Sequence, residues 1–218
     1  VIIGGSGTGK SVLIKTVLGL ITPDTGKIFV DGQDVAKAKH DDFLSRFGML
    51  FQGGALFDSM PVWQNVAFRL QRGHLKRPKA EAREIAIEKL RRVGLGPEVA
   101  NRLPAELSGG MQKRVGLARA IATNPEIIFF DEPTTGLDPI MSSVINDLIR
   151  EIVVEMGVTA MTITHDMTSV ETIADKVAML HDGAIQWCGM LNDLSHSGDP
   201  HVDQFVNGRA DGPIETLR

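Results

Sequence analysis

The stretch that most restricts how this chain can fold is Gly4 to Ser11, GGSGTGKS, set between the apolar run Val1-Ile2-Ile3 and the segment Val12 to Leu18. It fits G-x-x-x-x-G-K-[ST], and its flanks supply the strand and the helix that this pattern requires. Gly4, Gly7 and Gly9 let the backbone turn its N–H groups inward around phosphates, where a side chain would block the approach. Gly5, Ser6 and Thr8 complete the loop. Lys10 supplies a point charge for the β- and γ-phosphates, and Ser11 offers a hydroxyl to Mg²⁺. The helix that begins there directs the positive end of its dipole at the anion.

Strands and helices alternate through the rest of the chain, which predicts an α/β fold of the P-loop NTPase type with a mostly parallel central sheet. Gly26 to Gly32 reads as a strand that continues the sheet and closes in a turn. Phe47 to Phe51 is a short apolar strand ending at Gln52-Gly53-Gly54. From Trp63 to Val93 the pattern becomes helical, with Ile85, Ile87, Leu90 and Val93 among charges that read as a solvated face. A further helix opens after Leu107-Ser108-Gly109-Gly110 and runs to Ala122. Glu126 to Asp131 has the unbroken apolar character of a parallel strand buried on both faces. Next come a helix from Ile140 to Glu155, a strand from Val158 to Thr164 ending at His165, and a helix from Thr168 to Ala174. Two strands turned at Asp182-Gly183 close the pattern. The chain reads as one domain over 1–218, with a helical insert at 60–115 and a C-terminal tail at 196–218. Only three strand residues precede the phosphate loop, so more of the domain is expected upstream of Val1.

The net charge of −4, with no long basic tract, leaves no electrostatic footprint for nucleic acid. The single cysteine, Cys188, excludes an internal disulfide framework and reads as a small core residue beside Trp187. The apolar runs fall short of the ~18 residues of a membrane helix, so a membrane role requires a partner.

A phosphate loop alone suits many enzymes, and the residues that follow it narrow the choice. Asp131-Glu132, at the end of the buried strand, offers one carboxylate to Mg²⁺ and a second to polarise water. Gln52, at a strand end, is placed to reach the metal or the attacking water, and His165, at another, to touch the γ-phosphate. Ser108-Gly109-Gly110 opens a helix and forms a second anion-binding N-terminus. One nucleotide on one phosphate loop has no use for it. In a head-to-tail dimer, Ser108 to Gly110 of one subunit would close on the ATP held by the other.

Over essentially its whole length the sequence resembles the ATP-binding cassette (ABC) family. In that resemblance GGSGTGKS is the Walker A loop, Gln52 the Q-loop glutamine, LSGGM the signature and Ile127 to Glu132 the Walker B strand, with Glu132 the catalytic carboxylate. Gly136-Leu137-Asp138 is the D-loop, which places Asp138 with the nucleotide-binding residues, and His165 is the switch histidine. The signature continues with Met111 where many members have Gln, and the family's adenine-stacking aromatic lies upstream of this chain. The segments FQGGALFDSMPVWQNVAF (Phe51 to Phe68), DEPTTGLDPIM (Asp131 to Met141) and NGRADGPI (Asn207 to Ile214) resemble the ATPase of Mla/Mce-type lipid transporters. The resemblance implies ATP and Mg²⁺ as cofactors, a homodimer, an integral membrane permease and substrate-binding or regulatory subunits as partners. It also implies a peripheral location on the cytoplasmic face of the inner membrane. The permease would dock beside Gly53 to Asn65, where Leu56, Phe57, Met60 and Trp63 read equally as core residues. An importer ATPase for a small polar solute is the alternative within transport. ATPases of DNA repair or translation fit less well, because they carry long coiled coils or a second cassette.

Overall fold

The computed structural model describes residues 1–37 and 40–215; the last three residues of the expected tail lie outside the described residues. The chain opens on strand β1 (Ile2–Ile3), the phosphate loop and helix α1 (Lys10–Val17). A hairpin, β2 (Phe29–Val30) and β3 (Gln33–Asp34), leads to α2 (His40–Ser45) and β4 (Phe47–Leu50). Three helices follow, α3 (Val62–Val66), α4 (Lys79–Arg92) and α5 (Gly109–Ile121), and then β5 (Ile127–Asp131) and α6 (Pro139–Met156). The remainder is β6 (Thr159–Ile163), α7 (Met167–Ile173), β7 (Lys176–His181), β8 (Ala184–Met190) and α8 (Pro200–Val206).

Six strands form one sheet in the order β4-β5-β6-β1-β7-β8. The first five run parallel, and β8 turns back antiparallel on β7. This order places β1 inside the sheet, with Ile2 opposite Ile163 on one side and Ala178 on the other. The carboxyl ends of β1, β4, β5 and β6 therefore open on one edge, where parallel α/β sheets bind ligands. The period of two along β5 sends Phe129 and Phe130 to opposite faces. Phe130 packs with Leu50, Ile128 and the α6 residues Ile145, Ile149 and Ile152, whereas Phe129 packs with Ile14, Phe43, Phe47 and Ile163. The expectation of a strand buried on both sides holds. Helix α5 rides directly on β4: a Cβ on Gly48 would lie 2.2 Å from the carbonyl oxygen of Ala120, so no larger residue fits there.

Three sequence expectations are corrected. Gly26 to Gly32 does not continue the main sheet, because β2 and β3 pair only with each other. Asp31 and Gly32 both adopt positive φ, which folds the segment back on itself in a tight turn. Phe29 is left exposed, with no face to bury. The helical pattern from Trp63 to Val93 is broken into α3, two single 3₁₀ turns at Arg69–Gln71 and Gly73–Leu75, and α4. Cys188 is exposed rather than in the core: Trp187 turns inward on β8, and alternation carries its neighbour to the outer face.

Candidate functional site

The phosphate loop begins where β1 ends. Gly4 sits at φ 152°, and a Cβ there would come within 2.2 Å of the Leu180 carbonyl oxygen. Gly7 and Gly9 also have positive φ, which turns the loop around a hollow that a Cβ-bearing chain would enter only under strain. Thr8 Oγ1 donates to the Gly5 carbonyl at 2.9 Å. Lys10 is buried, and its Nζ donates to the Gly4 and Gly5 carbonyls, each at 2.7 Å, so its ammonium lies across the loop. Burial holds that ammonium below its ordinary pKa, against the opposing pull of Glu132 and Asp131.

Ser11, in the first turn of α1, donates its hydroxyl to Asp131 Oδ1 at 3.1 Å. The Asp131 carboxyl is pushed above the usual range, mainly by burial, with the Ser11 hydrogen bond acting the other way. A hydroxyl and a carboxylate side by side are hard oxygen donors of the kind Mg²⁺ takes, alongside water and substrate phosphates. Among the described residues no cluster of three or more His, Cys, Asp or Glu side chains could hold a metal unaided. Ser11 and Asp131 by themselves fit a hard cation whose remaining ligands come from other sources.

Glu132 adopts φ 50°, a left-handed conformation that costs a non-glycine residue on the order of 1–3 kcal/mol. Its N–H donates to the Ile163 carbonyl on β6 at 2.9 Å. One carboxylate oxygen accepts from His165 Nδ1 at 2.9 Å and the other from Thr135 Oγ1 at 3.1 Å. The strain at Glu132 and the loop after β6 together bring a half-buried carboxylate and an exposed imidazole to one spot.

A cleft of about 700 Å³ joins these pieces, lined by Gly5, Ser6, Gly7, Gly9, Lys10, Ser11, Gln52, Glu132 and His165. Residues from four loops thus meet at one sheet edge. Ser108, Gly109, Gly110 and Asp138 do not line it. Ser108 caps α5, accepting from Met111 N at 3.3 Å, and Asp138 caps α6, accepting from Met141 N at 3.0 Å. Ser108 and Gly109 are exposed, and Gly110 is packed under Met141. The sequence reading missed Val12, which also lines the cleft, and two residues from other elements. Phe205 of α8 lines the cleft, and buried Lys113 of α5 donates to the Glu132 carbonyl at 3.2 Å. Burial depresses the Lys113 ammonium, with Glu132 and Asp131 opposing. A lysine one turn past Ser108 was the only local signal for it.

A second hollow, of about 540 Å³ and mostly apolar, lies beside the segment after Gln52. Phe51, Phe57 and Phe68 line it, with Phe57 stacked on Phe68 at 4.4 Å. Asn65 is buried and ties the loop down, accepting from Phe57 N at 2.7 Å and donating to the Met60 carbonyl at 2.9 Å. The two readings of this segment divide by residue: Trp63 is core, and Phe57 is exposed.

The family model described as ABC transporter matches residues 1–135. The chain is 42% identical over 217 residues to the probable ribonucleotide transport ATP-binding protein mkl of Mycobacterium leprae (strain TN), covering 98% of this chain and 62% of that protein. It is also 42% identical over 216 residues to the intermembrane phospholipid transport system ATP-binding protein MlaF of Escherichia coli (strain K12), covering 98% of this chain and 80% of that protein. The chain spans 60–62% of the length of the mycobacterial relatives. A solved dimeric structure of the ATP-binding cassette MJ0796, in a post-hydrolysis state bound to ADP and Pi, superposes with a TM-score of 0.77 at 31% identity. It covers 87% of this chain and 84% of that one.

Proposed function

The chain belongs to the ABC transporter family, and we propose that it is an ATP-hydrolysing subunit that dimerises on ATP to drive a membrane permease. The observation that carries this is the division of the phosphate-binding elements. Lys10, Glu132 and His165 share one cleft, whereas Ser108 to Gly110 present a capped helix N-terminus outside it. A second copy, placed head to tail, would bring the missing anion-binding end to the nucleotide. The loop N–H groups and Lys10 would hold the phosphates, and Ser11 and Asp131, with Gln52 in the same cleft, would hold the metal. A Mg²⁺ ion bound there would supply positive charge against that developing on the transferred phosphoryl group. Glu132 takes a proton from the attacking water, and His165, hydrogen-bonded to that carboxylate, keeps it aimed.

The cargo we infer is phospholipid, supported by the similarity to MlaF and by the three matching segments around Phe57, Asp131 and Asn207. No helix among the described residues is long and apolar enough to cross a membrane. The apolar hollow beside Phe57 is the surface we assign to the permease, which would hold the subunit at the cytoplasmic face of the inner membrane. Phe57→Glu should abolish co-purification of the permease while nucleotide binding persists. The name of the mycobacterial relative supports a second reading, transport of a nucleotide-like solute. Chemical analysis of ligands held by the complex purified from membranes separates the two: phospholipid supports the first, and a bound nucleotide other than ATP or ADP the second.

The mechanism itself is tested by Glu132→Gln in the full-length protein. We expect turnover to fall by roughly 10²–10⁴, and the variant to elute as a dimer with ATP and Mg²⁺. Adding Ser108→Arg should return it to monomer. Native turnover in the single variant, or a dimer in the double, overturns the two-site scheme.

A further inference from the structure

Lysine is rarely buried without a reason, and Lys113 is only 4% exposed. It lies on α5, one turn beyond the Ser108 cap, and its single hydrogen bond among the described residues is to the Glu132 carbonyl at 3.2 Å. For stability alone this is a poor arrangement. Burial is costly to an ammonium, its one side-chain hydrogen bond is to a neutral carbonyl, and the nearby Glu132 and Asp131 carboxylates offset only part of that cost, whereas an apolar side chain of similar length would fill the same space. The gain lies at Glu132, whose left-handed backbone is held from both ends: its N–H donates to the Ile163 carbonyl on β6, and its carbonyl accepts from Lys113 on α5 at 3.2 Å and, at a longer 3.4 Å, from the Thr135 N–H. Without Lys113 the carbonyl would keep only the longer Thr135 bond, which leaves the Glu132 peptide freer to turn its carboxylate away from His165, 2.9 Å from it.

We propose that Lys113 is a positioning residue through which the helix opening at Ser108 holds Glu132 in its working orientation. This rests on the assignment of Glu132 as the base. Lys113 is not among the residues that line the cleft; it acts through the Glu132 backbone.

The test is steady-state ATPase kinetics on the full-length protein with Lys113→Met, Glu132→Gln and the double variant, beside ATP-dependent melting. Lys113→Met should lower kcat by about 10²-fold, the cost of a misplaced catalytic group, with KM for ATP and the ATP-induced melting shift unchanged. The double variant should be no slower than Glu132→Gln alone, because Lys113 has nothing left to position. Native kcat in Lys113→Met, or a double-variant loss equal to the product of the single losses, overturns the proposal and leaves the base assignment standing. Native turnover in Glu132→Gln overturns both. Should Lys113→Met fail to fold, Lys113→Gln decides. Its shorter, uncharged donor should cost about tenfold in kcat at unchanged KM, and native kcat overturns the proposal there too.

Discussion

Two glycine-bearing turns in this chain each open a helix, and they solve different problems. In the phosphate loop, Gly4, Gly7 and Gly9 all have positive φ, and helix α1 starts from Gly9 with no side-chain cap. The first N–H groups of that helix are left to whatever enters the loop. At Ser108 the glycines have ordinary helical backbone, and the serine side chain already takes one free N–H of α5. The first turn is a cradle made by backbone shape. The second is a finished helix end whose small residues leave its surface open. A ligand site complete within one chain needs glycine for its φ values, whereas one that awaits a second surface needs glycine for closeness of approach.

Substitutions at the two turns sharpen this contrast. The largest effect on folding is expected for Gly4→Ala, which combines a strained φ with backbone contact at 2.2 Å to Leu180. A loss of about 3 kcal/mol should appear in urea denaturation. Next is Lys10→Ala, which should remove the stabilisation that Mg-ATP confers, about 2.7 kcal/mol at ligand 100-fold above Kd. An unchanged ATP-dependent melting shift would break the assignment of the loop as the phosphate cradle. Across the comparison, Ser108→Ala should cost about 1 kcal/mol through the lost cap, with monomer ATP binding untouched. The smallest effect is expected for Gly110→Ala. The added Cβ meets only the flexible end of Met141, at 2.6 Å, so thermal melting should register less than about 1 kcal/mol. If Gly110→Ala proved as damaging to the monomer as Gly4→Ala, the distinction between the two turns would fail.

Much of the site was readable in order along the chain. The strand, loop and helix around Lys10, the buried strand ending at Asp131-Glu132 and the serine opening α5 are local patterns, and each appears where its residues predicted it. The division between Trp63 and Phe57 was not readable. Both are aromatic residues in one apolar stretch, and only the packing of α3 against α4 and α5 buries the first and leaves the second beside the hollow. Phe29 misled for a similar reason. Its segment has strand composition, but a two-residue strand with a tight turn has no neighbour in the main sheet to pair with.

The sequence by itself determined the phosphate cradle, because its function resides in the backbone conformation of eight consecutive residues, and glycine spacing specifies that conformation locally. It also determined the contrast between an uncapped loop and a helix end already capped by Ser108. Only the tertiary structure decided that Ser11, Gln52, Glu132 and His165 face one cleft, since that depends on the strand order β4-β5-β6-β1 and not on spacing along the chain. The same holds for Lys113 beneath Glu132 and for Phe205 at the cleft wall. Contacts between elements tens of residues apart are chosen by which faces the core buries, and no local pattern records that choice.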